Sequence, residues 1–135
     1  MGAVKTDLSA RERALEETFP ALNTSVGIKR LLGEQGALEI RQYAGDYDAV
    51  LLLIDLKAAI SKAKLTERQS EAIRLVYEAD LTQEEAARQA GVARDNLKRR
   101  LDVAVEKIAA VYEYWGWHGE GYSIANNETE EINND

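Results

Sequence analysis

Leu65-Thr66-Glu67-Arg68-Gln69, then Leu81-Thr82-Gln83-Glu84-Glu85-Ala86-Ala87, then Gly91-Val92, then Leu97-Lys98-Arg99-Arg100-Leu101 is the stretch whose reading decides the fold. Thr82 opens a capping box: its hydroxyl can accept from the Glu85 amide while the Glu85 carboxylate reaches back. Leu81 is placed to staple onto Ala86. Nine residues after Thr82 stands Gly91, the residue type that tolerates the left-handed backbone beyond a helix end. A second helix is predicted from Arg94. A short capped helix, a glycine turn and a second helix with basic residues on its face predict a helix-turn-helix. In that motif one short helix enters the DNA major groove.

Working outward, Thr66 with Gln69 predicts a capped helix over 66–79 that presents Ile73, Val76 and Tyr77. From Arg94 the pattern runs without a breaker to Trp115. Leu97, Leu101, Ala104, Ile108, Val111 and Trp115 are spaced 4, 3, 4, 3, 4, a heptad seam. Only the first two or three turns of so long a helix can read DNA, so the rest of the seam needs an apolar cover. The 48–63 helix or a second copy of the chain can supply it. The 4-3 spacing favours the copy, in a homodimer through Leu101, Ile108 and Trp115. Gly116 is expected to end the helix, and Trp117 to Tyr122 to form an aromatic, glycine-punctuated loop. Residues 123–135, acidic and rich in Asn, are expected to be disordered.

On the N-terminal side, Asp7 or Ser9 predicts a helix over 9–18 that ends near Pro20. Thr24 or Ser25 caps a second over 24–33, stopped by Gly33. Residues 37–44 are ambiguous, with Ile40 and Tyr43 fitting a short helix. Gly45-Asp46-Tyr47-Asp48 is a turn able to cap the next helix. Residues 48–63 predict the clearest core helix, with Val50, Leu51, Leu53, Ile54, Leu56 and Ile60 around most of its circumference. The whole is expected to be a small all-α domain with a long final helix. It divides into an N-terminal helical segment (1–64) packed on the motif, the helix-turn-helix (65–116), and an aromatic loop with an acidic tail (117–135).

Composition narrows the function classes. The 135 residues include no cysteine, which excludes disulfides and thiolate metal sites. The longest apolar run, Ala49 to Ile54, is too short to span a bilayer, and the N-terminus has no apolar signal core. A soluble cytoplasmic protein with no membrane partner is the expectation. The net charge of −7 is unusual for a DNA binder, but it is unevenly spread. Residues 1–61 carry −2, residues 62–112 carry +1 and residues 113–135 carry −6. Within 88–100 there are five basic groups against Asp95 alone. With a Debye length of about 8 Å, such a patch acts despite a distant acidic tail.

The segment from Leu65 to Ile108 resembles region 4 of bacterial sigma factors, which reads the −35 promoter element. Leu81-Thr82-Gln83-Glu84-Glu85-Ala86-Ala87 matches the family's first motif helix. Gly91-Val92-Ala93 stands where the family has Gly-Val-Ser. Ala93 therefore leaves the recognition helix without its N-cap oxygen, a loss of roughly 1 kcal/mol. Asp95 in the first turn offsets part of that through the helix dipole. Short phage regulators of the ArpU/RinA type look similar too, since they carry a helical segment before this motif. The resemblance implies double-stranded DNA as partner and RNA polymerase as a second one. It does not imply a complete sigma factor, because residues 1–64 hold no aromatic, basic helix able to capture a melted strand.

Arg94, Asp95, Asn96 and Lys98 are the candidate base readers. Arg pairs bidentately with guanine, Asn with adenine, and Asp accepts from cytosine N4. Arg88, Arg99, Arg100, Thr82 and Gln83 are the candidate phosphate contacts. Tyr112, Tyr114, Trp115, Trp117 and Tyr122 either pin the long helix to the N-terminal helices or dock a partner. His118, the only histidine, has no companion for catalysis or zinc. Glu16-Glu17 and Glu84-Glu85 are adjacent on helices and do not face each other. No glycine-rich phosphate loop occurs. A non-enzymatic, cofactor-free, metal-free transcriptional regulator is the expectation. Its rivals are an adaptor acting on RNA polymerase or a sigma factor, which the acidic balance and Ala93 favour, and a small-terminase-like packaging adaptor.

Overall fold

The computed structural model describes residues 21–118. They form six α-helices: α1 (Ser25–Gly33), α2 (Gln35–Tyr43), α3 (Tyr47–Ala63), α4 (Glu67–Ile73), α5 (Gln83–Ala90) and α6 (Arg94–Trp117). No strand occurs among the described residues. The helix expected over 9–18 and the segment 119–135, Tyr122 included, lie outside them.

Local chemistry starts most of these helices. Thr24 caps α1, its Oγ1 accepting from the Gly27 amide at 3.2 Å. Gly33 is the last residue of α1, but the chain re-enters a helix at once, with Glu34 flanking both. The ambiguous segment is thus α2. Its buried residue is Leu38, whereas Ile40 and Tyr43 face outward. Asp46 caps α3, one oxygen accepting from the Ala49 amide at 3.2 Å and the other from Arg41 Nε at 2.8 Å. The Arg41 hydrogen bond holds the Asp46 carboxyl below its ordinary range.

The long α6 is the axis of the core. Its 24 residues span about 36 Å, and α1, α3, α4 and α5 all pack against it. Leu97, Leu101, Ala104, Ile108 and Trp115 are at most 2 % exposed, and Val111 is half-buried. The heptad seam is therefore covered by the chain's own helices. This corrects the expected homodimer through Leu101, Ile108 and Trp115: side chains already buried inside one chain offer nothing to a second. The physical reason is that α1 and α3 pack along α6 and fill the place a partner helix would take.

Two further expectations change. The helix expected to be buried nearly all round, α3, has only one buried side. Ala49, Leu52, Leu53, Leu56 and Ala59 face inward, Val50, Leu51 and Ile60 are half-buried, and Ile54 is 45 % exposed. Gly116 does not end α6, which continues through Trp117 to a cap at His118. Trp117 is thus helical, and its Nε1 donates to Glu113 Oε1 at 2.9 Å. The aromatic cluster divides. Trp115 is buried and half-buried Tyr112 meets it edge-on at 5.2 Å, while Tyr114 and Trp117 are exposed.

Ile108→Ala should lower unfolding free energy by about 2–5 kcal/mol, the usual cost of emptying a fully buried aliphatic site. Gly116→Ala should raise it by about 0.5–1 kcal/mol, since a Cβ there meets nothing within 4 Å. Urea denaturation followed by circular dichroism measures both. A destabilising Gly116→Ala would place the end of α6 before this residue.

Candidate nucleic-acid interface

The motif is built from two capping boxes and one glycine turn. Thr66 Oγ1 accepts from the Gln69 amide at 3.2 Å, and Gln69 Oε1 accepts from the Thr66 amide at 3.0 Å. The same oxygen accepts from Lys107 Nζ at 2.9 Å, tying the start of α4 to the middle of α6. After Ile73 the backbone widens into one π-helical turn, Arg74–Glu78, closed by the Ala79 amide on Arg74 O at 2.8 Å. Asp80 then adopts a left-handed φ of 58° and turns the chain toward α5.

The second box repeats the first. Thr82 Oγ1 accepts from the Glu85 amide at 3.1 Å, and Glu85 Oε1 accepts from the Thr82 amide at 3.0 Å. The hydrogen bond from the Thr82 amide, and after it one from the Thr82 hydroxyl, holds the Glu85 carboxyl below its ordinary range. Gly91 ends α5 at φ 72°. The Val92 amide donates to Ala87 O at 2.9 Å and the Gly91 amide to Arg88 O at 3.2 Å, the paired bonds of a Schellman turn. Behind the turn Ala86 and Ala87 are buried, and their small side chains let α5 lie close to α6.

Ala93 is the N-cap of α6, with extended backbone and no side-chain hydrogen bond. From it the recognition helix projects outward. Arg94, Asp95, Asn96, Lys98 and Arg99 are exposed and Arg100 is half-buried. Arg88 and Thr82 are exposed on α5 and its cap, and Gln83 is half-buried. At about 100° per residue, Leu97 and Leu101 set the inward direction. Asp95 and Arg99, one turn apart, stand opposite it. Arg94 and Lys98 flank that ridge on one side, Asn96 and Arg100 on the other. Arg99, read from the sequence as a phosphate contact, thus shares the outermost ridge with Asp95.

Sequence reading missed two features. Arg94 Nη1 lies 3.5 Å from Glu84 Oε1, an exposed pair bridging the two motif helices. A shallow concavity of about 320 Å³ runs beside the recognition helix, lined by Gln69, Asn96, Arg99, Arg100 and Val103. Gln69 and Val103 therefore border the exposed face of the first turns of α6. Gln69 was legible only as a capping residue, because its position beside α6 comes from packing. His118, by contrast, stacks on Tyr114 at 4.0 Å and lies far along α6 from this surface.

Residues 63–110 match the family model for sigma-70, region 4. This segment is a sigma region 4-like helix-turn-helix. The match ends within α6, so α1 to α3 and the last turns of α6 lie beyond the region 4 segment. Comparison with curated proteins and with solved structures gives no significant match. Among the described residues no helix is long and apolar enough to cross a membrane.

The bare N-cap yields a prediction. Ala93→Ser should stabilise the fold by about 0.5–1.5 kcal/mol, its hydroxyl accepting from the Asn96 amide as Thr82 does from Glu85. An unchanged urea midpoint would mean that the first turn of α6 gains nothing from a side-chain cap. A second concerns acid. The Glu85 carboxyl should titrate below the ordinary 4.5 in a carboxyl-detected NMR titration. The stability it lends the α5 start is present above 4.5 and is lost as pH falls through the lowered pKa. Glu85→Gln should remove that acid dependence while keeping the capping geometry.

Proposed function

We propose that this chain is a sequence-specific, double-stranded-DNA-binding transcriptional regulator that works without catalysis. One observation carries the reading. The Schellman turn at Gly91 fixes α5 against α6 and leaves the basic first half of α6 exposed on the outer ridge. Arg99 and Asp95 read base edges, with Arg94, Asn96 and Lys98 beside them. Arg88 and Arg100 position the phosphates, and the α5 start at Thr82 and Gln83 meets the backbone of the duplex. Three helices ahead of the motif support a short regulator of the phage ArpU/RinA kind, with RNA polymerase as its second partner and the cytoplasm as its compartment.

A second reading, an adaptor that docks on RNA polymerase with weak DNA affinity, is favoured by the acidic groups at the surface. Glu84 already engages Arg94, and Asp95 sits on the outer ridge.

Selection from randomised duplexes, with fluorescence anisotropy on the selected sites, separates the two. Lys98→Ala with Arg99→Ala should cost at least about tenfold in affinity, since each such contact is worth about 1–3 kcal/mol. It should also make the salt dependence shallower. Neither side chain is buried, so the urea midpoint should hold. Undiminished binding by the double variant would remove α6 from the reading role. Failure to select any sequence would favour the adaptor.

A further inference from the structure

The hairpin of α2 and α3 carries apolar surface on its outside as well as its inside. In α2, Ile40 and Tyr43 stand on the side away from buried Leu38 and are 71 % and 89 % exposed. In α3, Tyr47, Leu51 and Ile54 stand away from buried Leu56. Tyr47 is 67 % exposed, Ile54 45 %, and Leu51 half-buried. Tyr43, at the end of one stripe, and Tyr47, at the start of the other, are four residues apart across the short turn between the helices. Ile40, Tyr43, Tyr47 and Ile54 alone leave on the order of 600 Å² accessible, a patch at the upper end of what a monomer shows without a use for it.

We propose that this face is a self-association surface, on which two copies of the chain pack α2–α3 hairpin against α2–α3 hairpin about a two-fold axis. Size, charge and position support a second copy as the occupant. With its half-buried and small neighbours the face approaches the roughly 800 Å² per partner of a stable interface. The hairpin is close to neutral: residues 35–63 carry Glu39, Asp46, Asp48 and buried Asp55 against Arg41, Lys57 and Lys62, in a chain of net charge −7. Two copies therefore meet there without the repulsion their overall charge imposes, and neither an acidic nor a basic partner is selected. A two-fold interface needs one patch complementary to itself, which an apolar, neutral face with two tyrosines supplies.

The position suits DNA binding. Helix α2 packs chiefly on α1 and α3, while α5 packs on α6 and the π turn, so the outer face of the hairpin and the reading surface lie on different helices. The pair would carry two free recognition helices, as two DNA half-sites require.

Sedimentation of the full chain from about 1 to about 200 µM tests the proposal. The mass should rise from 15.0 kDa to twice that value with concentration. Ile40→Glu with Ile54→Glu should remain helical by circular dichroism and sediment at 15.0 kDa throughout. A parent chain that stays at 15.0 kDa overturns the proposal, as does a double variant that still dimerises or a parent that forms larger rings. Should the double variant lose its helical signal, Tyr43→Ser, at the most exposed of these side chains, takes its place. A dissociation constant raised at least tenfold supports the proposal, and an unchanged one overturns it.

Discussion

The apolar stripe of α6 is the constraint on which the rest of the structure depends. Helices α1, α2, α4 and α5 have nine, nine, seven and eight residues. Helices so short are marginal in water, where nucleation costs more than a few hydrogen bonds return. They persist here because all but α2 bury a face on one 24-residue helix. Burying each large aliphatic side chain is worth about 1.5–3 kcal/mol, and Leu97, Leu101, Val105 and Ile108 are all buried along that stripe. The exposed basic turns and the scaffold are consequently parts of one helix, open at its start and enclosed toward its end.

Local chemistry decides where the elements begin and turn. Four side-chain N-caps and one left-handed glycine define the starts of α1, α3, α4 and α5 and the turn into α6. The recognition helix is the exception, entered from Ala93 with no side-chain acceptor. It is held from behind by Leu97 and Leu101 and from the side by α5. Its charge is equally local. Basic groups cluster around the first two turns in a chain whose total is −7. Screening over about 8 Å lets such a cluster act on a phosphate next to it while adding little long-range attraction. The Glu84–Arg94 pair tempers it further, because it sets a carboxylate beside a guanidinium at the helix start.

What the sequence determined by itself is the set of features whose cause lies within a few residues. The capping boxes at Thr66 and Thr82, the Gly91 turn, the bare cap at Ala93 and the 4-3 seam of α6 are statements about neighbours along the chain. Each has the geometry those residues imply. Capping at Asp46 is local in the same way, whereas residues 37–44 stayed ambiguous: Ile40 and Tyr43 fit a short helix, but the residue that helix buries is Leu38. A helical period identifies a helix, but it cannot say which of two apolar faces meets a neighbour.

Only the tertiary structure decided what covers what. The seam of α6 suits a second chain as well as it suits α1 and α3, because apolar surface is non-directional and any complementary helix can bury it. Topology settled the matter by folding the N-terminal helices back along α6. The same step left one side of α3 and the outside of α2 bare, although Ile54 and Leu53 are adjacent and equally apolar. It also brought Gln69 and Val103 beside Asn96, Arg99 and Arg100, residues whose separation in the chain gave no sign of a shared surface. Caps and turns are legible in a sequence because their hydrogen bonds are directional and short in range. Burial waits for the fold, because the hydrophobic effect counts area and is indifferent to which partner removes it from water.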